Sequence, residues 1–124
     1  MKRDLELIRE ILLRVEALPI GHFLSNIEID VYSPDVIGEH VRLLQEARFI
    51  DAEVSRGNSQ MGVTIVVGYA IDRLLNDGHD FIENAKSDTV WEKAREQIAE
   101  KSGDVSLTVL KAVLAKTAMQ LFGL

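Results

Sequence analysis

Residues 63–71 read Val-Thr-Ile-Val-Val-Gly-Tyr-Ala-Ile, a β-branched run that is apolar on both faces and predicts a strand covered, at least in part, on two sides. Before it, Phe49 to Val54 forms a second strand-like stretch. The intervening SRGNSQMG is turn-rich, so the two stretches predict a hairpin with a loop of about 6 to 8 residues. This hairpin is a candidate wing. What surrounds it is helical.

Upstream, Asp4 is a candidate N-cap, and Leu5, Ile8, Leu12 and Val15 recur at helical spacing to about Ala17. Pro19 and Gly21 end that helix. Ile27, Ile29 and Val31 then alternate with Glu28, Asp30 and Tyr32, which predicts a short half-buried strand. Ser33-Pro34 supplies a hydroxyl acceptor and an N1 residue without an N–H, a strong helix start. The second helix runs to about Arg48 with Ile37, Val41 and Leu44 inward, Gly38 mainly outward, and His40 at the border. Downstream, Asn76-Asp77 opens a helix containing Phe81, Ile82 and Ala85. Asp88 caps a helix with Val90, Trp91, Ala94 and Ile98 buried, ending near Gly103, and Ser106 opens the last, with Leu107, Leu110, Leu114 and Leu121 inward.

The order is helix, strand, helix, hairpin and three helices. It predicts one mainly helical α+β domain over residues 1–124, with a winged-helix-like part at 1–75 and a helical C-terminal extension at 76–124. A small α+β domain of another topology is the rival. A chain of 13.9 kDa buries roughly two-thirds of its unfolded surface, enough for a core without staples. The absence of cysteine excludes disulfides, thiolate zinc sites and thiol catalysis, and it fits a reducing cytosol. Asp4 and Glu6 interrupt any signal-peptide pattern, and the apolar C-terminal stretch carries Lys111 and Lys116, so neither export nor a membrane partner is expected and a cytoplasmic location is.

The segments MKRDLELIREILLRVE, SPDVIGEHVRLLQEARFIDA, GHDFIENAKSDTVWEKAR and VSLTVLK, in that order, resemble an uncharacterised bacterial and prophage family that typically begins Met-Lys-Arg-Asp. The resemblance spans nearly the whole chain and implies a winged-helix-like fold. It names no chemistry. The stretch from Val36 to Ile50 is similar to the recognition-helix region of winged-helix regulators. Arg48 stands where such helices usually end in Gly, and Leu75 stands where the family usually has Thr before its Gly-His-x-Phe motif.

Two functions from different classes compete. As a prophage-type transcriptional regulator, the chain would present Arg42, Gln45 and Arg48 to double-stranded DNA, with Arg56 and Asn58 on the wing, and with Glu39 and His40 nearby. The net charge of −6, with Asp35, Glu39 and Glu46 on the same helix, opposes phosphate contact. It favours the alternative, an adaptor that binds a host or phage protein. Val109, Ala112 and Met119 lie off the main stripe of the last helix and could pair two copies as a homodimer. No Gly-x-Ser-x-Gly elbow, phosphate loop or dinucleotide fingerprint is present, so neither catalysis nor a cofactor is expected. His79 and Glu83 share an i, i+4 spacing, but two ligands are too few for a metal.

Overall fold

The computed structural model describes residues 1–100 and 105–123, with the side chain of residue 100 left aside. The chain is α+β and mainly helical. In order it forms α1 (Leu5–Glu16), α2 (Pro34–Glu46), β1 (Ile50–Asn58), β2 (Thr64–Leu74), α3 (Asn76–Ala85), α4 (Asp88–Glu100) and α5 (Leu107–Phe122). Two compact units result, Met1–Gly78 and His79–Leu124. The expected end of the fourth helix near Gly103 lies outside the described residues.

In the first unit, Asp4 caps α1 by accepting the Leu7 N–H at 3.1 Å, and Ser33 caps α2 by accepting that of Val36 at 3.3 Å. Leu7, Ile8, Ile11, Leu12 and Val15 of α1 are buried, as are Ile37, Val41 and Leu44 of α2. Each helix therefore commits one apolar face to this core, which the antiparallel β1–β2 hairpin completes with Ile50, Val66, Ile71 and Leu74. Gly38 and His40 are buried too, rather than outward and at the border. A side chain at position 38 would press on Val66, 3.1 Å from its Cβ, so Gly38 is what lets α2 lie this close to β2.

The hairpin loop is tighter than its composition suggests. Arg56, Gly57 and Asn58 belong to β1, and the reversal is made by residues 59–63. The Ser59 hydroxyl accepts from Met61 and Val63, and Gly62 takes φ 77. Val66 and Ile71 are buried but Val67 is 60% exposed, so the double covering of β2 is only partial. Register shifts leave Val67 and Asp72 without a residue opposite them on β1.

The strand expected over residues 27–32 does not form. Pairing is confined to one bridge, in which Leu24 and Ile71 exchange two backbone hydrogen bonds at 2.9 Å. Ile27 then gives its N–H to the Tyr69 hydroxyl at 2.9 Å, so the donor that would continue the ladder goes to a side chain. The chain turns at Val31, which has φ 71 and is 97% exposed. Alternation of apolar residues reported the burial of Ile27 correctly but carried no information about its hydrogen-bond partner.

In the second unit, Phe81, Ile82 and Ala85 of α3 and Val90, Trp91 and Ala94 of α4 are buried, while Ile98 is half-buried. Ser87, not Asp88, caps α4: its hydroxyl accepts from Val90 and its carbonyl from Trp91. Trp91 meets the Phe81 ring edge-on at 6.3 Å and lies under the Arg95 guanidinium at 5.7 Å, which makes it a core anchor. Ser106 caps α5. Thr117, buried on α5, donates to the Val113 carbonyl at 2.7 Å and accepts from Gln97 of α4 at 3.3 Å. Leu107, Leu110 and Leu114 are buried as expected, but Leu121 is exposed. Among the described residues, no helix is long and apolar enough to cross a membrane.

Candidate functional site

The outward side of α2 and the adjoining wing gather part of the expected contact set. Glu39, Arg42, Arg56, Thr64 and Ile65 line a depression of about 230 Å³. Arg42 does not face solvent freely there. Its Nε and Nη2 reach Glu39 Oε2 at 2.8 and 2.7 Å, and its Nη1 reaches Glu46 Oε1 at 2.7 Å. Spacings of three and four residues place both carboxylates over the same turn of helix as the guanidinium. The Glu39 hydrogen bond holds Arg42 above the usual arginine range, against partial desolvation, with Glu46 adding to the effect. Arg56 reaches the same Glu46 Oε1 at 3.3 Å. Two cations and two carboxylates thus form one chain of pairs with no net charge.

The remaining residues of that set lie apart or are used internally. Gln45 is exposed on α2. Asn58 takes the Thr64 hydroxyl proton at 3.5 Å across the hairpin. Arg48 lies beyond the end of α2 at φ 61, lining a separate shallow depression with Arg73, Leu75, Asn76 and Asp77. Its backbone completes a double cap, with Arg48 N–H on the Gln45 carbonyl and Phe49 N–H on that of Leu44. The position that usually holds Gly is left-handed here as well, and an arginine occupies it.

His40 has a structural partner at each ring nitrogen. Nε2 accepts the Asp4 backbone N–H at 2.8 Å, and Nδ1 lies 2.8 Å from the Val36 carbonyl, to which it must donate. That arrangement leaves the ring nothing to offer a substrate. Among the described residues, no group of three or more His, Asp or Glu could hold a metal ion.

A further concavity was not foreseen. It is a groove of about 470 Å³ lined by residues 25–32, by residues 65–69 of β2 and by the first turns of α2. Tyr32 and Tyr69 both line it. The signal that could have revealed it was the alternation at 27–32, whose acidic members Glu28 and Asp30 face this space once the strand fails to pair.

Fold and site together define a small α+β protein with a two-stranded hairpin and, among its described residues, no cluster of His, Asp or Glu that could hold a metal ion. The family described as "Hypothetical protein (DUF2513)" matches residues 2–104, and the chain belongs to it. An uncharacterized protein of Haemophilus influenzae is 32% identical over 122 residues, covering 91% of this chain and 92% of that protein. No solved structure matches.

Proposed function

We propose that the chain is a non-catalytic protein-interaction module on a winged-helix-like frame. The order α1, Leu24–Ile71 bridge, α2 and β1–β2 hairpin supports that frame, although residues 17–33 separate α1 from α2 where a helix-turn-helix has a short turn. The observation that carries the reading is the capture of Arg42 by Glu39 and Glu46. A phosphate would have to displace two carboxylates already in place, on a helix that also carries Asp35 in its first turn, and much of the usual counterion-release gain would be lost. Protein partners make no such demand.

Duplex DNA is the second reading, and it rests on Arg48, which is exposed and shares a depression with Arg73 outside the Arg42 network. Gln45, Arg56 and Asn58 would then contribute from α2 and the wing. In either reading a homodimer would use Val109, Ala112 and Met119, which lie on one exposed side of α5. Light scattering on Val109→Glu/Met119→Glu checks this: the expected result is a halved mass, and an unchanged mass removes that surface.

Capture from a bacterial lysate at about 0.1 M salt, with nuclease-treated and untreated halves, separates the two functions. The expected result is a protein partner that survives nuclease, with recovery unaffected by Arg48→Ala. Sequence-enriched DNA that depends on Arg48 and disappears with nuclease would replace this reading with the second.

A further inference from the structure

We infer that the groove along the open edge of β2 takes an extended, lysine- or arginine-rich segment of a partner protein, added beside β2 as a further strand. This rests on the protein-interaction reading and names the partner's chemistry. β1 covers one edge of β2 throughout its length, whereas the other edge has a backbone partner only at Ile71, from Leu24. Residues 25–32 make no backbone–backbone hydrogen bond to β2 and form the opposite wall instead, with the Ile27 N–H given to the Tyr69 hydroxyl. An open strand edge offers N–H and C=O groups at a repeat that another extended backbone matches, about 3.3 Å per residue. Residues 65–69 therefore suit a segment of roughly five residues.

The walls decide which segment. Exposed Val67 and half-buried Ile29 and Ile65 supply apolar surface, so alternate side chains of the incoming strand have something to cover. Glu28, Asp30 and Asp35 are exposed around it, and none of the three has an ion pair or hydrogen bond among the described residues. No lysine or arginine lines the groove. Three uncompensated carboxylates beside one strand edge attract a cationic peptide and repel a phosphate backbone. Typical edge protection, an inward lysine or a proline, is missing from the Ile65–Tyr69 stretch.

The test pans displayed random heptapeptides on the whole chain and measures the enriched peptides by fluorescence polarisation. Enrichment of sequences with Lys or Arg at alternate positions is expected, with amide shifts in a nitrogen-15 spectrum concentrated at residues 65–69. Glu28→Gln/Asp30→Asn/Asp35→Asn should weaken binding at least tenfold, and so should N-methylation of alternate peptide amides; circular dichroism confirms that the variant is folded. Absence of a basic consensus, equal binding by the triple variant, or shifts confined elsewhere would overturn the groove. Lysate capture separates the two levels of failure. A nuclease-resistant partner retained by the triple variant sinks the groove alone, and no such partner with either protein sinks the broader reading as well.

Discussion

The Asp4 backbone N–H and His40 Nε2 meet at 2.8 Å across 36 residues of sequence, tying the start of α1 to the inner side of α2. The same Asp4 caps α1 through Oδ1 and accepts the Tyr32 hydroxyl proton at 2.8 Å through Oδ2. One residue thus joins α1, α2 and the segment between them. His40→Phe removes the acceptor while keeping an aromatic ring, so it should cost about 1–3 kcal/mol in denaturant unfolding. Nitrogen-15 spectra of the wild-type ring should show the neutral form protonated at Nδ1. A ring protonated at Nε2 would contradict the arrangement.

Much of this unit was legible in advance because its signals are local. Asp4, Ser33-Pro34 and the apolar spacing of α1 and α2 each act within one or two helical turns. The hairpin was legible for the same reason. His40 was not, since its burial depends on a backbone N–H 36 positions away that no spacing rule encodes. Arg42 shows the limit most sharply. Its residue type suited a nucleic-acid contact, and Glu39 and Glu46 were visible at three and four residues' distance, yet only the side-chain geometry shows that one guanidinium engages both. The groove was illegible because it exists where a predicted strand fails to pair.

Gly78, in the Gly-His-x-Phe stretch, stands against the Phe49 carbonyl: a Cβ built there would collide with that oxygen. The neighbouring Leu75 N–H donates to the same carbonyl at 2.9 Å, which fixes the backbone on both sides of the contact. Neither side can yield by a rotamer change. Gly78→Ala should therefore destabilise the chain by about 1–3 kcal/mol, despite alanine's higher helix propensity. A neutral or stabilising result in urea unfolding would show that α3 can shift away from Phe49.

Val31 and Arg48 are the described non-glycine residues with positive φ, at 71° and 61°. A left-handed conformation costs an L-residue about 1–2 kcal/mol, part of which glycine returns through its more flexible unfolded state. Both side chains are exposed, so little packing is lost on replacement. Val31→Gly and Arg48→Gly should each raise stability by about 0.5–1 kcal/mol, read as a higher midpoint in urea. Arg48→Gly has a further use, because a stable variant without that side chain tests DNA retention free of folding artefacts.

Tyr32 and Tyr69 give the fold an alkaline limit. Burial pushes both phenols above the ordinary value of 10.0; at Tyr32 the hydrogen bond and charge of Asp4 push further, whereas at Tyr69 the N–H donated by Ile27 partly opposes the shift. A phenol that holds its proton more tightly when folded contributes stability that is fully present below about pH 10 and is lost as pH rises through the folded-state value. Thermal midpoints measured upward from pH 9 should therefore fall beyond pH 10. Tyr32→Phe/Tyr69→Phe starts from a lower midpoint, since Ile27 loses its acceptor and Asp4 its donor. Its decline above pH 10 should be shallower than that of the wild type. Parallel curves would assign the alkaline loss to other groups and remove the tyrosines from the account.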